Sequence, residues 1–170
     1  EEMMDVYNWH TSNGRKLFIM LEELGVEYKT HAINIMQDDQ FTPEFLAINP
    51  NGKIPGMIDQ DGPGGESFSL FESGAMLMYL ADKYRRFLPP VDDIRNRYIT
   101  IQWLMFQMGG IGPMFGQAHH FRRAKTPVEY GIERYTTEAR RLWGVLDGPL
   151  AANEYMHNDY STADLSLIPI

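Results

Sequence analysis

The chain contains no cysteine. That absence removes disulfide scaffolding, cysteine-based metal sites and a thiol nucleophile of the protein's own, so any sulfur chemistry uses sulfur that a ligand brings. Cations are also scarce. Fifteen Lys and Arg against 23 Asp and Glu leave a net charge of −8, which argues against nucleic acid, whose binding draws on Lys and Arg that neutralise phosphates. An anionic small molecule gains nothing from such a field and must find local cations. No run approaches the ~20 apolar residues of a membrane span, and Glu1-Glu2-Met3-Met4 has neither the basic start nor the apolar core of a signal peptide. The expectation is a cytoplasmic protein without membrane or nucleic-acid partners. What is present is 170 residues with ordinary apolar and charged shares, enough for one domain or two small ones.

Two stretches organise the chain. Asn49-Pro-Asn-Gly-Lys-Ile-Pro55 sets two prolines around an Asn-Gly turn and ends in an Ile-Pro pair, where the preference against a cis bond falls to roughly 0.5–1 kcal/mol. A bend there leaves the Ile54 N–H and C=O outside any strand ladder, free to pair in antiparallel fashion with a bound peptide, with Lys53 beside it. Phe71-Glu72-Ser73-Gly74 follows. A strand turns there into an apolar helical run beginning near Gly74, so free N–H groups attract a carboxylate while Glu72 attracts an ammonium. A ligand with both groups at one end and a peptide bond further along suits the pair. Each stretch alone reads more readily as an ordinary loop and an ordinary helix cap; together, in this order, they are far more specific.

In chain order, Met4 to Trp9 reads as a strand with Met4 and Val6 on one side and Tyr7 and Trp9 on the other. The loop His10 to Gly14 leads into a helix from Asn13 to Leu24, with Leu17, Met20, Leu21 and Leu24 at helical spacing and Gly25 as the stop. Tyr28 to Ile35 is a second strand. Thr42-Pro43-Glu44 caps a short helix from Pro43 to Ala47 or Ile48. Gly56 to Asp59 and Ser67 to Phe71 are two further strands, and a helix from about Gly74 to Tyr84 follows. This is the thioredoxin-like order, with a crossover and then a hairpin. After the linker Phe87-Leu-Pro-Pro90, strand signals vanish. Ile94 to Gln107 is helical, Gly109 to Pro113 interrupts or kinks it, and Pro127 to about Leu146 is another long helix. Ser161-Thr-Ala-Asp164 resembles a capping box that opens a third. The expected fold is α+β: a thioredoxin-like domain over residues 3–86 and an all-helical domain over 92–170, incomplete because the chain stops six residues after Asp164.

These residues support a family resemblance. Ile54-Pro55 resembles the cis-proline loop of cytosolic glutathione transferases, Glu72-Ser73 their γ-glutamyl site, and Ser161 to Asp164 their C-terminal-domain capping box. Thr11 to Lys16, Gln40 to Leu46, Asn49 to Pro55, Ser69 to Ser73, Gly109 to Met114, Gln117 to Phe121 and Ile132 to Tyr135 are similar to the bacterial nu class and the yeast nitrogen-regulator-like proteins. The resemblance implies glutathione bound between two domains as a consumed cosubstrate, reduction of small disulfides, and a homodimer. It places Thr11 and Asn13 at the sulfur as the catalytic pair. Gln40, Lys53, Ile54, Pro55, Glu72 and Ser73 fall at the peptide, and Arg134 near a second glutathione. Ser12 stands where relatives often carry Pro, and Tyr7 matches a strand-one tyrosine that bonds the sulfur in some transferases. Conjugation to electrophiles, or glutathione binding without turnover, are the other functions the resemblance allows.

An ordinary thiol with pKa near 8.5 is mostly protonated at pH 7, and lowering it by about 1.5 units takes roughly 2 kcal/mol of preference for the thiolate. A Thr11 hydroxyl, the Asn13 amide and the helix N-terminus can supply that. Tyr7 reads more readily as a core tyrosine. Adjacent His119 and His120 point to different helix faces with no carboxylate at ligand spacing, so no metal is expected. Trp103, Met105, Phe106 and Met108 read as core or interdomain packing.

Overall fold

A computed structural model describes residues 4–168. The expected domain limits at Met3 and Ile170 lie outside the described residues. The chain forms two compact units, one ending at Arg86 and the other beginning at Phe87.

In the first unit β1 (Met4–Asn8) leads through a short loop into α1 (Ser12–Leu24), and β2 (Tyr28–Ala32) returns parallel to β1. A single 3-10 turn (Asp39–Phe41) precedes α2 (Pro43–Ile48). Then β3 (Gly56–Asp59) and β4 (Phe68–Phe71) form an antiparallel hairpin ahead of α3 (Ser73–Tyr84). β1 also pairs antiparallel with β3, giving the order β2-β1-β3-β4. This is the thioredoxin-like sheet with its helices. Its core is Val6, Leu17, Met20, Leu21, Met57, Met76, Leu77 and Leu80, all fully buried. Each such side chain stabilises by about 1.5–3 kcal/mol. Strand alternation sends Tyr7 to the other face of β1, where its ring lies against His31 of β2 and Phe45 of α2.

The second strand is shorter than its apolar pattern predicts, ending at Ala32 rather than Ile35. β1 supplies the reason: Asn8 is its last ladder residue and pairs with Ala32. Beyond Ile33 the chain is taken over by side-chain bonds, with the Asn34 N–H donating to Asp39 and the Met36 N–H to the Asn34 side chain.

The second unit is helical. α4 (Ile94–Phe106) passes through a π-helical turn at Gln107–Ile111 into α5 (Gly112–Arg123), with Pro113 in the first turn of α5. The expected interruption at Gly109 to Pro113 is therefore a π turn that keeps helical dihedrals, with Pro113, which has no N–H to give the ladder, following directly on it. α6 (Glu129–Leu150) starts after Pro127 and runs past Leu146 to include Pro149 in its last turn. Ser161 caps α7 (Thr162–Leu167), and the box closes with Asp164 in place of Glu: its Oδ2 accepts from the Ser161 N–H at 3.0 Å, and its Oδ1 accepts from the Met156 N–H at 2.8 Å. Ile111, Leu142, Leu146, Met156 and Ala163 form the core, with Trp103 and Phe106 packed against it. Met105 is not core. It is 46% exposed, because the buried stripe of α4 and the π turn runs Thr100, Leu104, Gln107, Ile111 and Met105 lies off it.

Candidate functional site

The loop between β1 and α1 is held by Asn8, a buried side chain. Its Oδ1 accepts from the Trp9 N–H at 2.8 Å and its Nδ2 donates to the Gly14 carbonyl at 2.9 Å. Gly14 is required there, since a Cβ would lie 2.0 Å from Asn8 Oδ1 and 2.7 Å from the Trp9 carbonyl oxygen. Thr11 is the N-cap of α1, its Oγ1 accepting from the Gly14 N–H at 3.2 Å. A hydroxyl that accepts still has a proton to donate, so capping leaves Thr11 able to meet a sulfur. Asn13, exposed in the first turn, accepts at Oδ1 from the Nζ of Lys16 at 2.8 Å. Lys16 is 1% exposed. Burial pulls its pKa down from 10.5 to about 8, with the negative charge of Glu72 acting in the opposite direction.

The turn before β3 is built by Asn49, also buried. Its Nδ2 donates to the Lys53 carbonyl and its Oδ1 accepts from the Asn51 N–H, while its own carbonyl accepts from the Gly52 N–H. Gly52 has φ 62°, and its Cα faces the Phe41 ring, which a Cβ would meet at 3.0 Å. This pins the Gln40-Phe41 loop to the turn. Ile54-Pro55 is cis, and the β3 ladder starts only at Gly56, leaving Ile54 outside it.

At the end of β4 the chain reverses through Glu72, whose φ of 74° and ψ of 112° are rare for a residue with a Cβ. Such a conformation costs of order 1–3 kcal/mol and persists where surrounding structure fixes it. α3 starts at Ser73, which is therefore the first helical residue and not the cap; Glu72 holds the cap position and makes no capping bond with its side chain. The far end of α3 is anchored to β3. Lys83 Nζ lies 2.6 Å from Asp59 Oδ2 and 2.6 Å from the Asp61 carbonyl, and the Tyr79 hydroxyl donates to Asp59 Oδ2 at 2.6 Å. Burial would raise the Asp59 carboxyl, but the bonds from Lys83 and Tyr79 outweigh it and hold the pKa below the ordinary value.

These three segments converge on one small cavity of about 70 Å³ lined by Asn13, Asn49, Asn51, Lys53, Ile54, Pro55, Glu72 and Ser73. Six of the nine sites expected from sequence thus meet in one place. Thr11 lies beside them at the cap, outside the lining. Gln40 also lies outside, in the loop pinned at Gly52, and its side-chain oxygen is buried without a hydrogen-bond partner, a group that a ligand donor would satisfy. Arg134 belongs to the helical unit, exposed on α6 beside Glu133, Tyr135 and Glu138. Tyr7 stacks on His31 at 4.5 Å, and burial with the nearby Asp5 charge raises its pKa. Its ring packs between His31 of β2 and Phe45 of α2. Among the described residues no three His, Cys, Asp or Glu side chains gather as metal ligands.

Sequence reasoning gave no role to Asn8, Asn49 or Lys16. Lys16 carried a signal, since it falls four residues before Met20 on the stripe that also holds Leu17 and Leu21. The two asparagines carried none beyond their places at the end of a strand and in a turn.

Residues 2–82 match the family description "Glutathione S-transferase, N-terminal domain". The chain is 44% identical over 170 residues to the disulfide-bond oxidoreductase YfcG of Escherichia coli (strain K12), covering 98% of this chain and 78% of that protein. A glutathione transferase family member from Pseudomonas fluorescens pf-5, solved with two glutathione bound, superposes with a TM-score of 0.94 at 48% identity, over 99% of this chain and 75% of that one. A glutathione transferase from Pseudomonas putida, with one glutathione disulfide per subunit, gives 0.95 at 46% identity, over 99% and 74%. With a shared fold, this level of identity and the matched segments in the same order, the chain belongs to the glutathione S-transferase family.

Proposed function

We propose that the chain is a glutathione-dependent disulfide-bond reductase of the bacterial nu class, working as a homodimer in the cytoplasm. The observation that carries the reading is the convergence of Asn13, the Ile54 backbone, Glu72 and Ser73 on one cavity in a chain without cysteine. A water-sized group needs at least about 10–15 Å³, so the cavity admits one end of a peptide and not the whole of it. The γ-glutamyl end of glutathione fits its chemistry. Glu72 faces the ammonium, the Ser73 hydroxyl and the N–H groups of the first turn of α3 face the carboxylate, and the Ile54 backbone pairs with the cysteinyl peptide group. Lys53 and Gln40 are assigned to the remainder of the peptide, Pro55 to the bend that presents Ile54, and Arg134 to a second glutathione.

Glutathione supplies the thiol that the chain lacks. Thr11 and Asn13 orient the sulfur and stabilise its thiolate by donating hydrogen bonds, the form that attacks or leaves a disulfide. A reducing cytoplasm suits a protein that consumes glutathione, and among the described residues no helix is long and apolar enough to cross a membrane. The P. putida relative, bound to a glutathione disulfide, favours exchange over conjugation. The discriminating experiment compares, on one preparation, the rate of mixed-disulfide reduction by glutathione with the rate of conjugation to a chlorinated nitrobenzene. Reduction is expected to dominate; conjugation running faster would make the protein a transferase in the strict sense. Glutathione binding with neither reaction would make it a regulator.

A further inference from the structure

The least expected group in the first unit is Lys16, an ammonium 1% exposed one turn into α1. A buried lysine loses hydration worth several kcal/mol, so its position needs a compensating partner. One such partner is Asn13 Oδ1 at 2.8 Å. Chemistry requires that atom to be the oxygen. An ammonium has three donors and no lone pair, so only the oxygen end of the Asn13 amide can face it. The Nδ2 end is thereby turned away from Lys16, and Asn13 also lines the cavity with Ile54, Glu72 and Ser73. An exposed asparagine otherwise flips and rotates freely, spending much of its time with an acceptor toward the ligand. An acceptor there repels a thiolate.

We propose that Lys16 is a positioning residue: by holding Asn13 Oδ1 it fixes the amide so that Nδ2 presents its N–H groups to the ligand sulfur. This rests on the reading of the cavity as the glutathione site. Lys16 itself touches neither ligand nor disulfide in this account. Its depressed pKa is the consequence of burial, and the negative charge of Glu72 keeps part of its proton affinity.

The test is a double-mutant cycle between Lys16→Met and Asn13→Ala on the full chain, read as the pKa of bound glutathione by thiolate absorbance and as kcat and KM for mixed-disulfide reduction. Methionine keeps the length and apolar stem of lysine and removes the head. Lys16→Met is expected to raise the bound-thiol pKa and lower kcat about tenfold, with KM for glutathione changing less than twofold. In the Asn13→Ala background the same substitution is expected to change neither quantity. Equal effects of Lys16→Met in both backgrounds, or a bound-thiol pKa that does not move, overturn the inference. If the parent itself neither binds glutathione nor turns over, the reading of the site fails instead, and the two failures are separable. A further measurement needs no substitution and no ligand: the order parameter of the Asn13 side-chain amide in the parent. The held amide is expected near about 0.85, the rigid range, whereas a value under about 0.6 overturns the inference whatever the variants do.

Discussion

Glu72 joins a strained backbone to a charged side chain, and two substitutions separate them. Its φ of 74° and ψ of 112° place the Cβ against its own backbone, at a cost of order 1–3 kcal/mol. Glu72→Ala keeps that Cβ and removes the carboxylate. Glu72→Gly removes both, and regains the part of the strain due to Cβ, less the ~0.4–1 kcal/mol by which glycine's freedom favours the unfolded chain. The glycine variant is therefore expected to be more stable than the alanine variant by about 1 kcal/mol, a rise of roughly 2–4 °C in Tm for a chain of this size. Binding moves the other way and equally in both. Losing a charge-assisted bond to the ligand ammonium, worth about 1.5–3 kcal/mol, weakens glutathione about 10- to 150-fold. Urea or thermal unfolding followed by circular dichroism gives the first quantity and calorimetric titration of glutathione the second. A glycine variant no more stable than the alanine one refutes the strain argument, and unchanged glutathione affinity in both refutes the ammonium site.

Three further outcomes follow from the same geometry. Asp59→Asn removes the carboxylate that Lys83 and Tyr79 share, leaving Lys83 its bond to the Asp61 carbonyl, and should cost about 1–3 kcal/mol at pH 7; because the Asp59 pKa is depressed, its contribution is present above about pH 4 and is lost as pH falls through the native value, so urea midpoints of parent and variant should converge in acid. Lys16 titrates at about 8 against an ordinary 10.5, so between those values the native state holds fewer protons than the unfolded chain and stability rises with pH, by about 3 kcal/mol across the window; Lys16→Met should remove that rise from the pH dependence of the unfolding free energy. Gly14→Ala forces a Cβ onto Asn8 Oδ1 and the Trp9 carbonyl, and is expected to lower stability by about 1–3 kcal/mol and to weaken glutathione binding as the start of α1 shifts, both seen by unfolding and titration of one variant.

Much of this architecture was legible because punctuation and periodicity agree. Thr42-Pro43 starts α2 and Gly25 ends α1 where the sequence says, and Ile54-Pro55 and Glu72-Ser73 meet in one cavity although 17 residues separate Pro55 from Ser73 along the chain. Misses occurred where a residue outside the segment decides. β2 stops at Ala32 because β1 has no residue left to pair, and Ser73 is helical because the strained Glu72 takes the cap position. The first is set by a strand 24 residues away in sequence, the second by the backbone conformation of the preceding residue. Of the buried asparagines, Asn8 looks like an ordinary strand residue in sequence and Asn49 like an ordinary turn residue. Their importance comes from the backbone groups they satisfy across a loop, which only three-dimensional placement reveals.

The claim at the centre is that a chain without cysteine performs thiol-disulfide exchange with the sulfur of a bound peptide. Steady-state reduction of a small mixed disulfide, with glutathione as the only thiol and glutathione reductase as the coupling enzyme, tests it most directly, with Thr11→Ala and Asn13→Ala run beside the parent. Parent turnover that falls at least about tenfold in both variants, as expected when each removes a hydrogen bond of about 1.4 kcal/mol or more to the thiolate, is the predicted result. A parent that binds glutathione but does not exceed the uncatalysed rate, or variants as active as the parent, would contradict it.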